Sequence, residues 1–333
     1  IGFYTLSDKR AKTASENSPL QRCELILTDK CNLRCPYCRG MRTDFAGGMG
    51  FEEAKNVIDL WAADHLVNIR FSGGEPTLCS YLGELVAYAR NNGVTRVAIS
   101  TNGTGDLDTY LRLIDFGAND FSVSLDAGCC SIGKMMAGGV SNAWEKASET
   151  IRQLSRRTYV TVGIVFNEIN SSRAVKTVLY ANSLSPSDIR IIPSAQYDKA
   201  VQSLADLSDD VIGKYPILKY RINKMREGKH VRGITDTDTR CCPLVLDDMA
   251  VAKGWHFPCI IYMREHGDPI GRVSSHMRQE RLAWCRSHNT HSDPICRKNC
   301  LDVCVAYNNR FEELHRGNMF YDLLWGLSTT WFE

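Results

Sequence analysis

Along the first two-thirds of the chain, short apolar runs alternate with segments whose apolar residues recur at helical spacing. Glu24-Leu25-Ile26-Leu27-Thr28 reads as a strand. Phe51 to His65 follows, with Ala54, Val57, Ile58, Leu60 and Trp61 along one helical face. Asn68-Ile69-Arg70-Phe71 is the second strand, and Tyr81 to Asn91 the next helix, with Gly93 placed to cap it. The alternation continues through strand 96–100, helix 107–116, strand 121–126, helix 144–157, strand 159–166, helix 171–184 and strand 189–192. Six βα-type units predict an α/β fold: a parallel sheet with crossover helices. The pattern leaves open whether the sheet curls into a partial (β/α)6 barrel or lies flat as a doubly wound fold. In either case chemistry is expected at the C-terminal ends of the strands. No tandem repeat or low-complexity stretch is visible.

Residues 197–240 differ. They are polar, acidic over Ser203 to Asp210 and basic over Lys219 to Arg232, where six cations face one acid, Glu227. Such a run reads first as a solvated helix face, with contact to an anionic substrate as the alternative. The whole chain is ordinary for a globular protein, with 44% hydrophobic and 23% charged residues. Its formal net charge of +2 gives no global argument for nucleic acid or an anionic membrane. No apolar run approaches the length of a membrane span. The start, Ile1-Gly2-Phe3-Tyr4, carries neither an initiator Met nor a signal-peptide pattern, so the chain reads as trimmed.

Fourteen cysteines change the picture, because they cluster at 31–38 and 241–304 rather than spreading as a disulfide framework. Clustered thiols with few histidines favour iron–sulfur ligation in a reducing compartment, and so the cytoplasm. The first group is Cys31-Asn32-Leu33-Arg34-Cys35-Pro36-Tyr37-Cys38, a C-x3-C-x2-C spacing. A [4Fe–4S] cluster normally takes four thiolates, so a run of three leaves one iron free for a small molecule. Zinc would need a fourth protein ligand, and no histidine lies near.

This run, with the aromatic Tyr37 just before the third cysteine, resembles the signature of the radical S-adenosylmethionine (SAM) superfamily. The resemblance implies a partial TIM-type barrel and a cluster whose open iron chelates SAM. It implies reductive cleavage of SAM to a 5′-deoxyadenosyl radical that abstracts hydrogen from substrate, with the electron coming from a flavodoxin- or ferredoxin-type donor. Ser72-Gly73-Gly74-Glu75-Pro76 resembles the family motif that holds the methionine amino group, with Glu75 as acceptor. Taken alone, such a run is a turn. Ser100-Thr101-Asn102-Gly103 resembles the ribose-contacting segment, although Asn-Gly alone is a turn signal. Ser124 and Asp126 end the fourth strand near the ribose or the substrate. Val165, at the end of the fifth strand, is placed to flank adenine, with core packing as its equal alternative. Cys129 and Cys130 fall in the loop after the fourth strand, where a thiol could return a hydrogen atom to a substrate radical; two loop thiols without chemistry are the plainer reading.

From Cys242 the pattern C-x11-G-x4-C, through Gly254 to Cys259, resembles the opening of the SPASM and twitch auxiliary domains. In those domains a short hairpin brings the two cysteines to one cluster. Cys296, Cys300 and Cys304 stand at spacings of four, which on a helix would share one face, as candidates for the remaining ligands. The tail departs from the fuller SPASM pattern of C-x2-C-x5-C-x3-C. One auxiliary [4Fe–4S] cluster is therefore expected, on Cys242, Cys259 and two of Cys296, Cys300 and Cys304. Cys241 and Cys285 are spares, and structural zinc is the rival.

The expected organisation is an N-terminal extension over 1–20, a barrel over 21–200, a connecting segment over 201–240, a cysteine-rich auxiliary-cluster domain over 241–310 and a helical tail over 311–333. The resemblance makes the protein an enzyme acting on an amino-acid-bearing or peptide substrate. The alternative is a nucleotide, or an amino-acid-decorated nucleobase of the kind found in bacteriophage DNA. A separate leader-recognition domain has no room in the 30 residues ahead of Cys31. A non-enzymatic electron carrier or zinc scaffold would leave the strand-end motifs unexplained.

Overall fold

The computed structural model describes residues 8–40, 43–194 and 202–316. In chain order the elements are α1 (Asp8–Thr13), β1 (Arg22–Thr28), α2 (Phe51–Ala62), β2 (Asn68–Gly73), α3 (Leu82–Asn91), β3 (Arg96–Thr101), α4 (Leu107–Asp115), β4 (Asp120–Ser124), α5 (Cys130–Met136), α6 (Ala143–Leu154), β5 (Tyr159–Phe166), α7 (Ala174–Ser183) and β6 (Asp188–Pro193). After β6 come α8 (Asp209–Lys214), α9 (Pro216–Arg226), β7 (Asp248–Ala252), β8 (Trp255–Phe257), α10 (Ile260–Arg264), β9 (Gly271–Arg272), α11 (Met277–Ser287), α12 (Pro294–Asn299) and α13 (Asp302–His315). The six strands and five crossover helices expected from the periodicity are all present, with ends shifted by a few residues. No described helix is long and apolar enough to cross a membrane.

The strands form one open sheet in the order β6-β5-β4-β3-β2-β1-β7-β8-β9. Strands β1 to β6 pair in parallel, β7 joins β1 in parallel, and β8 and β9 follow antiparallel. The cysteine-rich region is thus not detached from the barrel, because its hairpin β7–β8 extends the same sheet beyond β1. One face of the sheet is apolar. Leu25, Ile69, Phe71, Ile99, Phe121, Val162 and Ile189 pack there against the helices in a single core. The opposite, inner face is polar: Glu24, Arg70, Ser72 and Ser122 are each no more than 6% exposed.

The C-terminal region is pinned by buried charge. Arg281 of α11 is 2% exposed, and it donates to the carbonyls of Val245 at 2.9 Å and Phe257 at 3.0 Å and to that of Asp248. Its guanidinium thereby ties α11 to both strands of the hairpin. Arg10 of α1 pairs with buried Asp247, which also accepts from Tyr307 Oη at 2.8 Å. The N-terminal helix is therefore docked on α13. Residues 1–7 of the expected extension and 317–333 of the expected tail lie outside the described residues.

The basic run does not form a continuous cationic face. Arg221 points inward to Asp302 at 2.6 Å, Arg226 pairs with Asp209 at 3.2 Å, and Lys229 with Glu227 at 2.9 Å. Arg226 and Lys229 fit the solvated helix face, whereas Arg221 is buried and departs from it.

Two glycines set the register between β1 and β2. Gly73 has φ +147°, and a Cβ there would overlap the Thr28 carbonyl oxygen; a Cβ on Gly74 would overlap that of Lys30. The space is used for bonds: Gly74 N–H donates to Thr28 O at 2.7 Å and Glu75 N–H to Lys30 O at 2.8 Å. Replacing Gly74 with Ala should cost about 1–3 kcal/mol by forced displacement of backbone. Gly213→Ala, on an open helical surface with nothing within 4 Å of the added Cβ, should be neutral or slightly stabilising. Equal denaturant midpoints for the two variants would contradict this packing.

Candidate active site

The C-terminal ends of β1 to β5 converge on one edge of the sheet. The chain leaves β1 as a loop carrying Cys31 and Cys38, both exposed, and Cys35, half-buried. Backbone N–H groups point at sulfur, Leu33 at Cys31 Sγ and Gly40 at Cys38 Sγ, each at 3.4 Å. The Asn102 side-chain amide stands 3.9 Å from Cys31 Sγ. Burial raises the Cys35 thiol to about 12, helped by Asp126 and the other two cysteines. Burial also raises Cys31, with Glu75 and Cys38 adding to it. Thiols that raise one another ionise together only around a cation, and N–H donors aimed at sulfur favour the thiolate. This donor set fits an iron–sulfur cluster held by three protein ligands.

The loop is held from several sides. Asn102 Nδ2 donates to Asn32 Oδ1, and Asn32 Nδ2 to Thr104 Oγ1, both at 2.8 Å. Gly138, beyond α5, lies so close that a Cβ would overlap the Arg34 carbonyl oxygen. Tyr37 donates its hydroxyl to Asp126 Oδ2 at 2.6 Å. Arg39, next to Cys38, pairs with Glu265 at the end of α10, linking this loop to the cysteine-rich region.

Each strand-end residue singled out in the sequence has a definite place. Glu75 is 1% exposed. Its Oε1 accepts from Thr77 N at 3.2 Å, Thr77 Oγ1 at 2.7 Å and Thr101 Oγ1 at 2.8 Å, and its Oε2 from Asn102 N at 2.7 Å. Burial raises its pKa against these four donors. The carboxylate therefore joins the β2 turn to the end of β3, a role the residue pattern did not disclose. Asp126 is likewise framework: besides Tyr37 it accepts from Val165 N at 2.7 Å, and burial lifts its carboxyl to about 6. Ser124 is exposed at the end of β4 and Val165 is half-buried beside it. Ser100 accepts from Arg70 Nη1 at 2.8 Å. Cys129 caps the N-terminus of α5 with its sulfur 3.4 Å from Ser131 Oγ; that hydrogen bond and the Ile132 N–H lower its pKa. Cys130 is exposed.

The inner-face residues Arg70, Ser72, Ser122 and Arg190 are not among the site residues expected from the sequence. Their signal was present. In NIRFSG and DFSVS every second residue is polar, the period of a strand with one polar face.

A second thiol group gathers away from this edge. Cys242, Cys259, Cys296, Cys300 and Cys304 line one apolar pocket, which Cys241 and Cys285 do not line. Burial, and each thiol's neighbours in the pocket, raise Cys242 to about 11 and push Cys259 and Cys296 higher. His288 Nε2 lies 3.5 Å from Cys296 Sγ. Its ring nitrogen, an Asp293 oxygen and the Cys296 sulfur all fall within 4.8 Å of one another.

Residues 25–179 match the model of the Radical SAM superfamily. Fe-coproporphyrin III synthase of Methanosarcina barkeri is 43% identical over 103 residues, which cover 30% of this chain and 26% of that protein. The GTP 3′,8-cyclase of Synechococcus sp. is 31% identical over 137 residues, 40% of each. The chain thus matches less than half the length of these relatives. Among solved structures, native anSMEcpe with bound AdoMet has a TM-score of 0.60 at 16% identity, covering 92% of this chain and 100% of that one. Streptococcus suis SuiB bound to precursor peptide SuiA has a TM-score of 0.59 at 12% identity, covering 86% and 68%. At these identities the likeness is one of fold.

The internal role of Glu75 has a direct test. Glu75→Ala strands the Asn102 N–H and the Thr77 and Thr101 hydroxyls, and should cost on the order of 3 kcal/mol. Chemical denaturation of the whole chain reads this, and an unchanged midpoint would show that the carboxylate joins nothing.

Proposed function

The chain carries a radical SAM superfamily domain over residues 25–179, and on that premise we propose that Cys31, Cys35 and Cys38 hold a [4Fe–4S] cluster for SAM-dependent hydrogen abstraction from substrate. The observation that carries this reading is the seating of the three-cysteine loop on the backbone of Gly73 and Gly74, with the Asn102 amide beside Cys31. When bound, the cluster and SAM supply the one-electron chemistry, with a flavodoxin- or ferredoxin-type protein as electron source. The protein's own part is placement. Gly73, Gly74 and Glu75 shape the turn that receives the methionine amino group. Ser100, Asn102, Ser124 and Val165 border the adenosine. Asp126 holds Tyr37, and through it the spacing between Cys35 and Cys38.

The substrate in this reading bears an amino acid or is a peptide. Support comes from the solved structures of similar fold that contain peptides: SuiB with SuiA, and anSMEcpe with the Cp18Cys peptide. A nucleotide is the second reading, favoured by the relatives named GTP 3′,8-cyclase. The region after β6 serves as a twitch- or SPASM-like unit with one auxiliary [4Fe–4S] cluster. Five thiols line one apolar pocket, enough to supply the four thiolates such a cluster takes.

Replacing Cys31, Cys35 and Cys38 together with Ala should abolish 5′-deoxyadenosine formation yet leave the iron bound by the second thiol group. Iron and sulfide analysis, with electron paramagnetic resonance of the reduced protein, separates the two sites. Residual 5′-deoxyadenosine above background would sink the assignment, and zinc in place of iron in anaerobically purified protein would sink the auxiliary cluster. If Cys129 or Cys130 donates the closing hydrogen atom, turnover in deuterated water places deuterium in the product. Unlabelled product, together with normal product from both single Ala variants, rejects that role.

A further inference from the structure

On the inner face of the sheet Arg22, Arg70, Arg96 and Arg190 stand with Glu24, Asp120, Asp188 and Asp248, yet two of the guanidiniums enter no ion pair among the described residues. Arg70 is 6% exposed, its Nε is buried without a partner, and its Nη1 donates only to the neutral Ser100 hydroxyl at 2.8 Å. Arg190 reaches from β6 across β5, where Gly163 has no side chain, and Nη2 donates to the Ser122 hydroxyl at 3.2 Å. Burial, then the charges of Arg70 and Arg22, lower its pKa to about 10, so these guanidiniums crowd one another. The nearby carboxylates bond to other groups, and Glu24 and Asp120 act on these guanidiniums only through space. Glu24 binds Arg22 and the Ser72 hydroxyl, Asp248 also faces Arg22, and Asp120 faces Arg96. Asp188 accepts from the amides of Ile189 and Ile217. Among the described residues, neither Arg70 nor Arg190 takes part in an ion pair. A buried charge without a counter-charge is costly, and two side by side are more so.

We propose that Arg70 and Arg190, with Ser100 and Ser122, form a subsite for an oxyanion, a carboxylate or phosphate group that the substrate carries into the barrel. The forked guanidiniums supply planar donors matched to either anion, and the serine hydroxyls hold the forks in place while adding no charge. The site opens toward the edge that carries Ser100 and Asn102, since Ser100 and Arg190 are both half-exposed while Arg70 beneath is buried. Calling the ligand the substrate rests on the radical SAM reading; the anion site itself does not.

The test uses the anaerobically reconstituted full chain, with pyrophosphate and glutarate as probes. Affinity is read by calorimetry and by thermal shift, since a ligand of the folded state raises its melting temperature. One or both probes should bind, and Arg70→Gln and Arg190→Gln should each weaken that binding by about 10- to 150-fold. Without a probe the two variants should melt no lower than wild type, because each loses a guanidinium that enters no ion pair. Arg226→Gln, on the surface of α9, should bind as wild type does. A response to pyrophosphate assigns a phosphate-bearing substrate, and one to glutarate a carboxylate-bearing one. No response to either, or unchanged affinity in both Gln variants, overturns the proposal. Should a Gln variant fail to fold, Arg190→Lys keeps the charge without the fork and must bind at least about tenfold more weakly; equal affinity overturns the site. Formation of 5′-deoxyadenosine by wild type is scored in parallel. Its absence sinks the radical SAM reading and leaves the anion site standing, whereas failed anion binding with SAM cleavage intact sinks only this inference.

Discussion

Two stretches of backbone, Thr28 to Lys30 and Gly73 to Glu75, approach so closely that neither glycine between them could carry a side chain. Everything at the reactive edge hangs from this contact. It turns the chain out of β1 so that Cys31, Cys35 and Cys38 stand above the strand ends. It also places Glu75 where one carboxylate gathers Thr77, Thr101 and Asn102. Asn102 in turn reaches back to Asn32 within the cysteine loop. The closed circuit from β1 to β2 to β3 and back ties the loop to three strand ends, the kind of support a site that must hold reacting groups in register requires.

The sheet beneath this edge divides its labour by face. The helix side is a continuous apolar core and supplies the stability. The inner side is lined with charge and hydroxyl, at an energetic cost that a purely structural sheet would avoid. Glu24 with Arg22, and Arg96 with Asp120, offset part of that cost internally. Arg70 and Arg190 donate to Ser100 and Ser122 and enter no ion pair among the described residues, which is the ground for the proposed anion subsite.

The C-terminal third is built into the barrel. Strand β7 prolongs the sheet, and Arg281 satisfies several hairpin carbonyls from α11. The ion pair of Arg39 with Glu265 bridges the first cysteine loop and the helix that follows Cys259. The two thiol groups are thus joined by covalent chain, sheet and ion pair together.

Much of this was legible from the residues. Hydrophobic periodicity placed six strands and the helices between them, because the core face of each element must repeat at its own period. The C-x3-C-x2-C run and the Gly-Gly-Glu turn were legible because ligand spacing and glycine tolerance are local properties. The hairpin between Cys242 and Cys259, with Gly254 at φ +71°, was expected only from the resemblance of that spacing to SPASM and twitch domains. Glu75 was read as a ligand contact, and only the fold shows its four internal donors, which come from segments up to 27 residues away. The same holds for Asp126 with Tyr37, 89 residues apart. That Arg70 and Arg190 donate to serines and enter no ion pair among the described residues is also a tertiary fact. A one-dimensional pattern says which face of an element a side chain takes, but which charges meet across that face depends on strand order, register and curvature, and these the chain decides only when it folds.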